Sequence, residues 1–396
     1  MRFSSMVQRV GGMGADAWAI HSRTVERLRR GEPVIMLSVG EDQGARTPDA
    51  IVAAGKAALD QGFHHYSPLT GSPELREAVA ARHRALTGQS LGPDDVAVLA
   101  GAQNALFTTF LCLTDPGDEV IVPDPFYATY PGVVQANGAK MVRVACDPER
   151  AFVVDPADIA AAVTPRTRAI LLNSPNNPTG AVYPVEVMEA VAQICIDHDL
   201  WLVSDEVYAD FIYEGSHVAP CVLPGMAERT VTIGSLSKSH RMSGWRVGWI
   251  AANRDLCDLV SDLACCMLYG LPGFIQKAAL AALDPTSNEI ESDRQAMLAD
   301  YRARRDLVCG RLADTPGIIV RVPAAGMFAM VDVRPSGLDD FTFASRLLDE
   351  EDVGVMTGAA FGDSAVGHIR LGLVASQETL ADACERIDRF CRRLMG

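Results

Sequence analysis

Short β-branched runs alternate with longer amphipathic stretches through the first two-thirds of the chain. "DDVAVLAG", "DEVIVPDP", "AKMVRVAC", "TRAILLNSP", "LWLVSDE" and "TVTIGSLS" are each followed by a turn signal and then a helical pattern. Runs that are apolar on both faces and separated by helices predict a mostly parallel sheet with helices on both sides. In open sheets of this kind ligands bind beyond the carboxyl ends of the strands. The residues that close or follow the runs, Gly101, Asn173, Asn177, Asp205, Ser235 and Lys238, are therefore predicted to share one crevice.

The pattern changes after about residue 285. A charged helix, "NEIESDRQAMLADYRARRDLVCGRL", leads into strand-like runs at "GIIVRV", "GMFAMVDVR" and "HIRLGL" with helices between them. This predicts a smaller α+β domain over residues 286–396, beside a large α/β domain over 46–285. Residues 1–45 carry one helix-like stretch, around Ala15 to Arg30. That stretch is too short to fold alone, so the segment is expected to pack on the small domain or on a partner subunit.

Composition narrows the function classes. Of the 396 residues 48% are hydrophobic and 21% charged, as in an ordinary globular protein. The formal charge of −15 gives no general attraction to nucleic acid or to anionic lipid. No run of about 18 apolar residues offers a membrane span, and the N-terminus has no signal-peptide pattern, so a cytoplasmic protein is expected. Ten cysteines without a C-x-x-C spacing read as reduced, mostly buried thiols, and eight histidines without H-E-x-x-H predict no metal.

"GSLSKSHRMSGWR" sets Lys238 directly after a strand-like run, among small residues, with Ser235, Ser237 and Arg246 close by. A lysine on a turn is ordinarily a solvated surface group. Partial burial would instead lower its pKa and free a nucleophilic amine. Two hydroxyls and a guanidinium fork supply what a phosphate needs. A lysine beside a phosphate site suggests a Schiff base with pyridoxal phosphate, whose chemistry also calls for an acid at the ring nitrogen.

With these residues in view, the chain resembles the fold-type I pyridoxal-phosphate aminotransferases of the aspartate aminotransferase class. The resemblance rests on S-x-S-K-x7-R and on "HHYSPLTGSPELREAVA", "LAGAQNALF", "VPDPFYATY", "NSPNNPTG", "SDEVY" and "HIRLGL", which follow in the family's order. It implies that Lys238 anchors the cofactor and shuttles the substrate's Cα proton, and that Asp205 faces the pyridine nitrogen. Tyr208 and Asn177 match the pair at the cofactor's phenolic oxygen. Tyr127 matches the stacking ring, with Phe126 the alternative if the register is one residue off. Gly101, Ala102 and Gln103 match the amides that, with Ser235, Ser237 and Arg246, hold the phosphate at a helix N-terminus. Tyr66 matches a tyrosine that reaches the phosphate from a partner subunit, which implies a homodimer. Arg370 matches the grip on the substrate α-carboxylate, with Gly40 and Asn177 beside it.

One loop departs from the pattern. Much of the family reads G-E-P-D-F-x-T-P where this chain has "GEDQGARTP". "MRFSSMVQRV", the lysine segment and "CMLYGLPGFIQ" resemble arginine:pyruvate aminotransferases, a branch with a basic donor. Glu41 and Asp42 are candidates to receive that donor's positive charge, or else loop acids paired with Arg46. The expected activity is ping-pong transfer of an amino group from an L-amino acid, arginine or another basic donor, to a 2-oxo acid such as pyruvate. The alternatives are a β-lyase acting on cysteine conjugates and a non-catalytic binding module. The latter is disfavoured by the negative charge and by the filled catalytic positions.

Overall fold

The structure is a computed structural model that describes residues 1, 3–11, 18–42 and 44–396. Its strands are β1 (Ile35–Met36), β2 (Val96–Leu99), β3 (Glu119–Asp124), β4 (Lys140–Ala145), β5 (Thr167–Asn173), β6 (Trp201–Asp205), β7 (Thr230–Ser235), β8 (Gly248–Ala251), β9 (Ile319–Val320), β10 (Phe328–Asp332), β11 (Val353–Gly354), β12 (Met356–Thr357) and β13 (His368–Gly372). All six runs expected as strands in the large unit are strands. The seventh, β8, was not anticipated. It reads "GWIA", too short and too close to glycines for a clear period, and it is held in place by antiparallel pairing to β2 and β7.

The large sheet has the order β2-β8-β7-β6-β5-β3-β4 and is parallel apart from β8. Apart from the edge strand β4, where Lys140, Arg143 and Ala145 are exposed, its strands are largely buried on both faces, which is why they lack alternation. One face packs on the helix Ala102–Leu113 and part of Arg254–Met267 through Leu106, Phe110, Leu256 and Val260. The other face holds Val185–Asp197, through Met188, Val191 and Cys195. Register brings the strand ends level: Asn173 lies opposite Asp205, and Ser235 and Leu99 both lie opposite Gly248.

A four-stranded antiparallel sheet, β12-β13-β10-β9, is covered by the helices Asn288–Leu312, Asp340–Glu351 and Gln377–Met395. The expected helix from Ala15 to Arg30 runs from Ala19 to Arg29; Ala15 to Ala17 lie outside the described residues. It rests on the small unit. Arg23 bonds Ser345 and Asp349, Arg27 bonds Asp352, and β1 pairs with β11. Seven of the ten cysteines are buried, whereas Cys265 and Cys266 are exposed.

Phe390 is fully buried on the last helix and meets the Phe343 ring edge-on at 5.1 Å. Phe390→Ala should cost about 3–5 kcal/mol of stability. Urea unfolding followed by far-UV circular dichroism checks this, and a loss below about 1 kcal/mol would show that the site collapses around the void.

Candidate active site

The level strand ends open into a cavity of about 420 Å³ lined by every expected site residue except Gly101 and Tyr66. Lys238 reaches it from the four-residue helix Leu236–Ser239, whose N-terminus is capped by Ser235 through the Ser237 N–H. The Ser235 hydroxyl in turn donates to the Val247 carbonyl at 3.0 Å and lies 2.9 Å from Ser237 Oγ. Lys238 Nζ donates to the Gly40 carbonyl at 2.6 Å. Burial draws its pKa down; nearby Glu41 opposes the shift, and Arg370 and Arg246 add to it. A neutral amine becomes accessible there.

Asp205, at the end of β6, is fully enclosed, and burial pushes its carboxyl up to about 6. The Tyr130 hydroxyl donates to its Oδ2 at 2.6 Å and the Val207 N–H to its Oδ1 at 3.3 Å. Among the described residues no Lys, Arg or His pairs with it. Tyr130 was missed by the sequence reading. Its one signal was its place three residues after Tyr127 in "PDPFYATY", and the two rings meet edge-on at 5.8 Å. Tyr127 lines the cavity, while Phe126 faces the core. Tyr208 is buried beside the Asn177 side chain, and that burial holds its phenol protonated.

The helix Ala102–Leu113 aims its N-terminus at the cavity. Gly101 was expected to offer its amide, but that N–H bends back to the Leu99 carbonyl at 2.7 Å. Its contribution is steric. With φ +83°, an added Cβ would lie 2.5 Å from Arg246 Nη2. The Ala102 and Gln103 N–H groups have no acceptor among the described residues, as first-turn amides facing an anion site should. Gly248 is also obligatory, because a Cβ there would sit 2.4 Å from the Ala102 nitrogen.

Across the cavity Arg370 projects from β13. Its Nη1 donates to Asn177 Oδ1 at 2.9 Å and its Nη2 to the Ser38 carbonyl at 2.8 Å. The guanidinium lies between the Phe328 and Phe361 rings, 4.1 and 4.6 Å from their centroids. It has no carboxylate partner among the described residues, Nε bonds nothing, and burial pulls its pKa down to about 10. A buried cation without a counter-ion is costly unless an anion joins it.

Other expected residues stand elsewhere. Tyr66 is 87% exposed, lies outside the cavity and packs edge-on against Tyr269 at 5.0 Å. Asp42 does not pair with Arg46: it accepts from Arg304 at 2.8 Å and from the Gly44 and Ala45 N–H groups, and it does not line the cavity. Glu41 does line it and accepts from the Ser243 hydroxyl. Trp18 forms a further wall that no pattern in the sequence marked.

These groups fit pyridoxal phosphate. A buried carboxylate lacking a cation suits a protonated ring nitrogen, free helix-start amides beside Arg246 suit the phosphate, and a half-desolvated lysine suits the aldehyde. The family model for aminotransferase class I and II matches residues 32–387. The chain belongs to that family. It is 50% identical over 396 residues, the full length of both chains, to the arginine–pyruvate transaminase of Pseudomonas aeruginosa. It is 39% identical over 381 residues, 95% of each chain, to the aspartate/prephenate aminotransferase of Thermus thermophilus. A double mutant of the Thermus thermophilus aspartate aminotransferase superposes with a TM-score of 0.93 at 36% identity, covering 98% of this chain and 100% of that one. The protein is thus a pyridoxal-phosphate-dependent aminotransferase of fold type I.

The Asp205 carboxyl is raised from 3.8 to about 6 in the folded chain. The folded state therefore holds this proton more tightly than the unfolded one, and Asp205 weakens the cofactor-free protein as pH rises through that window. Asp205→Asn should match the parent below pH 4 and exceed it above pH 6 by on the order of 3 kcal/mol. Denaturant unfolding of both apoproteins at pH 4 and 8 reads the difference, and equal stability at pH 8 would mean that the carboxylate is compensated.

Proposed function

We propose that the protein moves the amino group of an L-amino acid, arginine or another basic donor, to a 2-oxo acid such as pyruvate by a ping-pong mechanism. The observation that carries this reading is the pair of cations that share one cavity: a half-desolvated amine at Lys238 and an uncompensated guanidinium at Arg370. Arg370 receives the α-carboxylate of donor and acceptor alike, with Asn177 and the Gly40 backbone beside it. That places Cα toward Lys238. The bound pyridoxal phosphate supplies an electron-accepting ring that makes the Cα–H acidic. Lys238 would hold the cofactor's aldehyde end, and its Nζ is the group that would carry the proton taken from the substrate Cα.

Asp205, kept in place by Tyr130, favours a proton on the ring nitrogen. Tyr208 and Asn177 would hold the phenolic oxygen, and Tyr127 would offer its ring to the cofactor. Arg246, Ser235, Ser237 and the amides of Ala102 and Gln103 would hold the phosphate. The similarity to an arginine–pyruvate transaminase supports a basic donor, as does Glu41, a cavity carboxylate without a cationic partner among the described residues. The β-lyase alternative finds no support in the geometry or in the named relatives and is set aside.

The reading includes a homodimer in which Tyr66 completes the partner's phosphate site. Supporting it are the exposed side chains of Leu59, Phe63, Tyr66, Leu259, Met267 and Tyr269 on adjoining elements. It also divides the chain into a cofactor domain over 46–285 and a carboxylate-gripping domain over 286–396, with 1–45 on the latter. Ten free thiols support a reducing, cytoplasmic setting, and no described helix is long and apolar enough to cross a membrane.

Borohydride reduction of the holoenzyme should fix the cofactor mass on the peptide carrying Lys238; an adduct found elsewhere would reassign the anchor. Arg370→Ala should raise KM for donor and acceptor alike through loss of about 2–5 kcal/mol, roughly thirty-fold or more. In a donor screen with pyruvate, read by the absorbance of the bound cofactor, arginine should outpace aspartate. The reverse order would remove the basic-donor reading while leaving transamination intact.

A further inference from the structure

We propose that Asp124 is a positioning residue for substrate binding: its carboxylate latches the backbone of Gly362–Ser364, and that latch seats Phe361 against Arg370. The inference rests on the reading in which Arg370 receives the substrate carboxylate. Asp124 ends β3, in the large sheet, and is 2% exposed. The Asp363 N–H donates to its Oδ2 at 2.9 Å and the Ser364 N–H to its Oδ1 at 3.1 Å, so each oxygen accepts one amide from the loop between β12 and β13. The approach is closed sterically as well. Gly362 has φ +119°, and an added Cβ would lie 2.3 Å from Asp124 Oδ1. One residue earlier, the Phe361 carbonyl accepts the Phe126 N–H at 2.9 Å. Phe361 is thereby fixed from both sides at the point where its ring lines the cavity and covers the Arg370 guanidinium at 4.6 Å.

A carboxylate suits this place better than its neutral isostere. Both oxygens must accept, and an amide would set its NH₂ against one of the two loop N–H groups. Arg143 stands 3.0 Å from Asp363 and 4.0 Å from Asp124, adding positive charge at the rim. Asp363 contributes to the latch only through its main chain, because its own carboxylate points outward and is 84% exposed. The catalytic groups at the ends of β6 and β7 do not touch the loop. Its displacement should therefore act on carboxylate binding and leave proton transfer alone.

The test uses the holoenzyme and three measurements: KM for pyruvate, kcat, and the inhibition constant of butyrate, a carboxylate that cannot be transaminated. Asp124→Asn and Gly362→Ala should each raise KM and the butyrate constant about tenfold while kcat and the cofactor absorbance stay unchanged. The double variant should be no worse than the weaker-binding single, because both substitutions break one device. Asp363→Ala, which keeps its N–H, should behave as the parent. Multiplying effects in the double variant, a tenfold rise in Asp363→Ala, or constants unchanged in both single variants would each overturn the latch. Arg370→Ala in the same assay separates the two ideas. An unchanged butyrate constant there overturns the carboxylate reading, whereas a raised one beside unaltered Asp124→Asn and Gly362→Ala overturns the latch alone.

Discussion

Two opposite charges are buried on opposite walls of one cavity, and neither is neutralised by the protein. Asp205 lacks a cation and Arg370 lacks an anion among the described residues. Were they in contact they would form a buried ion pair and satisfy each other, and the cavity would have nothing to offer a ligand. Keeping them apart costs stability, and the large apolar sheet core is what makes that cost tolerable. The arrangement leaves a buried carboxylate and a buried guanidinium each open to an oppositely charged group of a ligand.

The separation is held by one chain of hydrogen bonds. Ser38 accepts from Arg370, Arg370 donates to Asn177, the Asn177 N–H donates to the Asn173 side chain, and that side chain donates to the Asp205 carbonyl. Tyr130 closes the far end on the Asp205 carboxylate. The chain crosses from β13 in the small sheet to β5 and β6 in the large one. It fixes Arg370 relative to Asp205 by a few short bonds between buried groups, where such bonds are strongest.

Legibility in the sequence followed the range of the interactions. Most of the runs that became β2 to β7 are readable because a doubly buried strand is apolar throughout, β4 at the sheet edge being the exception, and the residues closing β5, β6 and β7 lie at the cavity because parallel register brings their ends level. β8 was not readable, since antiparallel pairing between two neighbours defines it more than its own four residues do. Neither was the pairing of β1 with β11, two residues on each side and more than 300 positions apart. Tyr130 and Trp18 look like ordinary aromatics until their surroundings are known. Gly101 and Asp42 carried recognisable letters, yet their bonds went elsewhere: the Gly101 amide to Leu99, the Asp42 carboxylate to Arg304. A motif fixes where a residue stands more securely than which of its atoms will be free.

The same distinction separates chemistry from selectivity in this cavity. Of the cavity residues, Asn173, Asp205 and Ser235 close strands, Ser237 and Lys238 stand on the short helix after β7, Ala102 and Gln103 open the helix Ala102–Leu113, and Arg370 lies on β13, where backbone pairing sets their positions. Trp18, Val39 to Glu41, Tyr127, Asn177 and Tyr208 reach the cavity from connecting segments, and Ser243 and Gly244 from the 3₁₀ turn Ser243–Trp245. Asp42 braces one of these segments by tying it to Arg304 on the long helix Asn288–Leu312, which also packs on the small sheet. Within "GEDQGARTP" Asp42 is held by an ion pair to Arg304 and by the Gly44 and Ala45 N–H groups. Glu41 is left as the carboxylate of that segment that lines the cavity, while Asp42 beside it is turned away to Arg304.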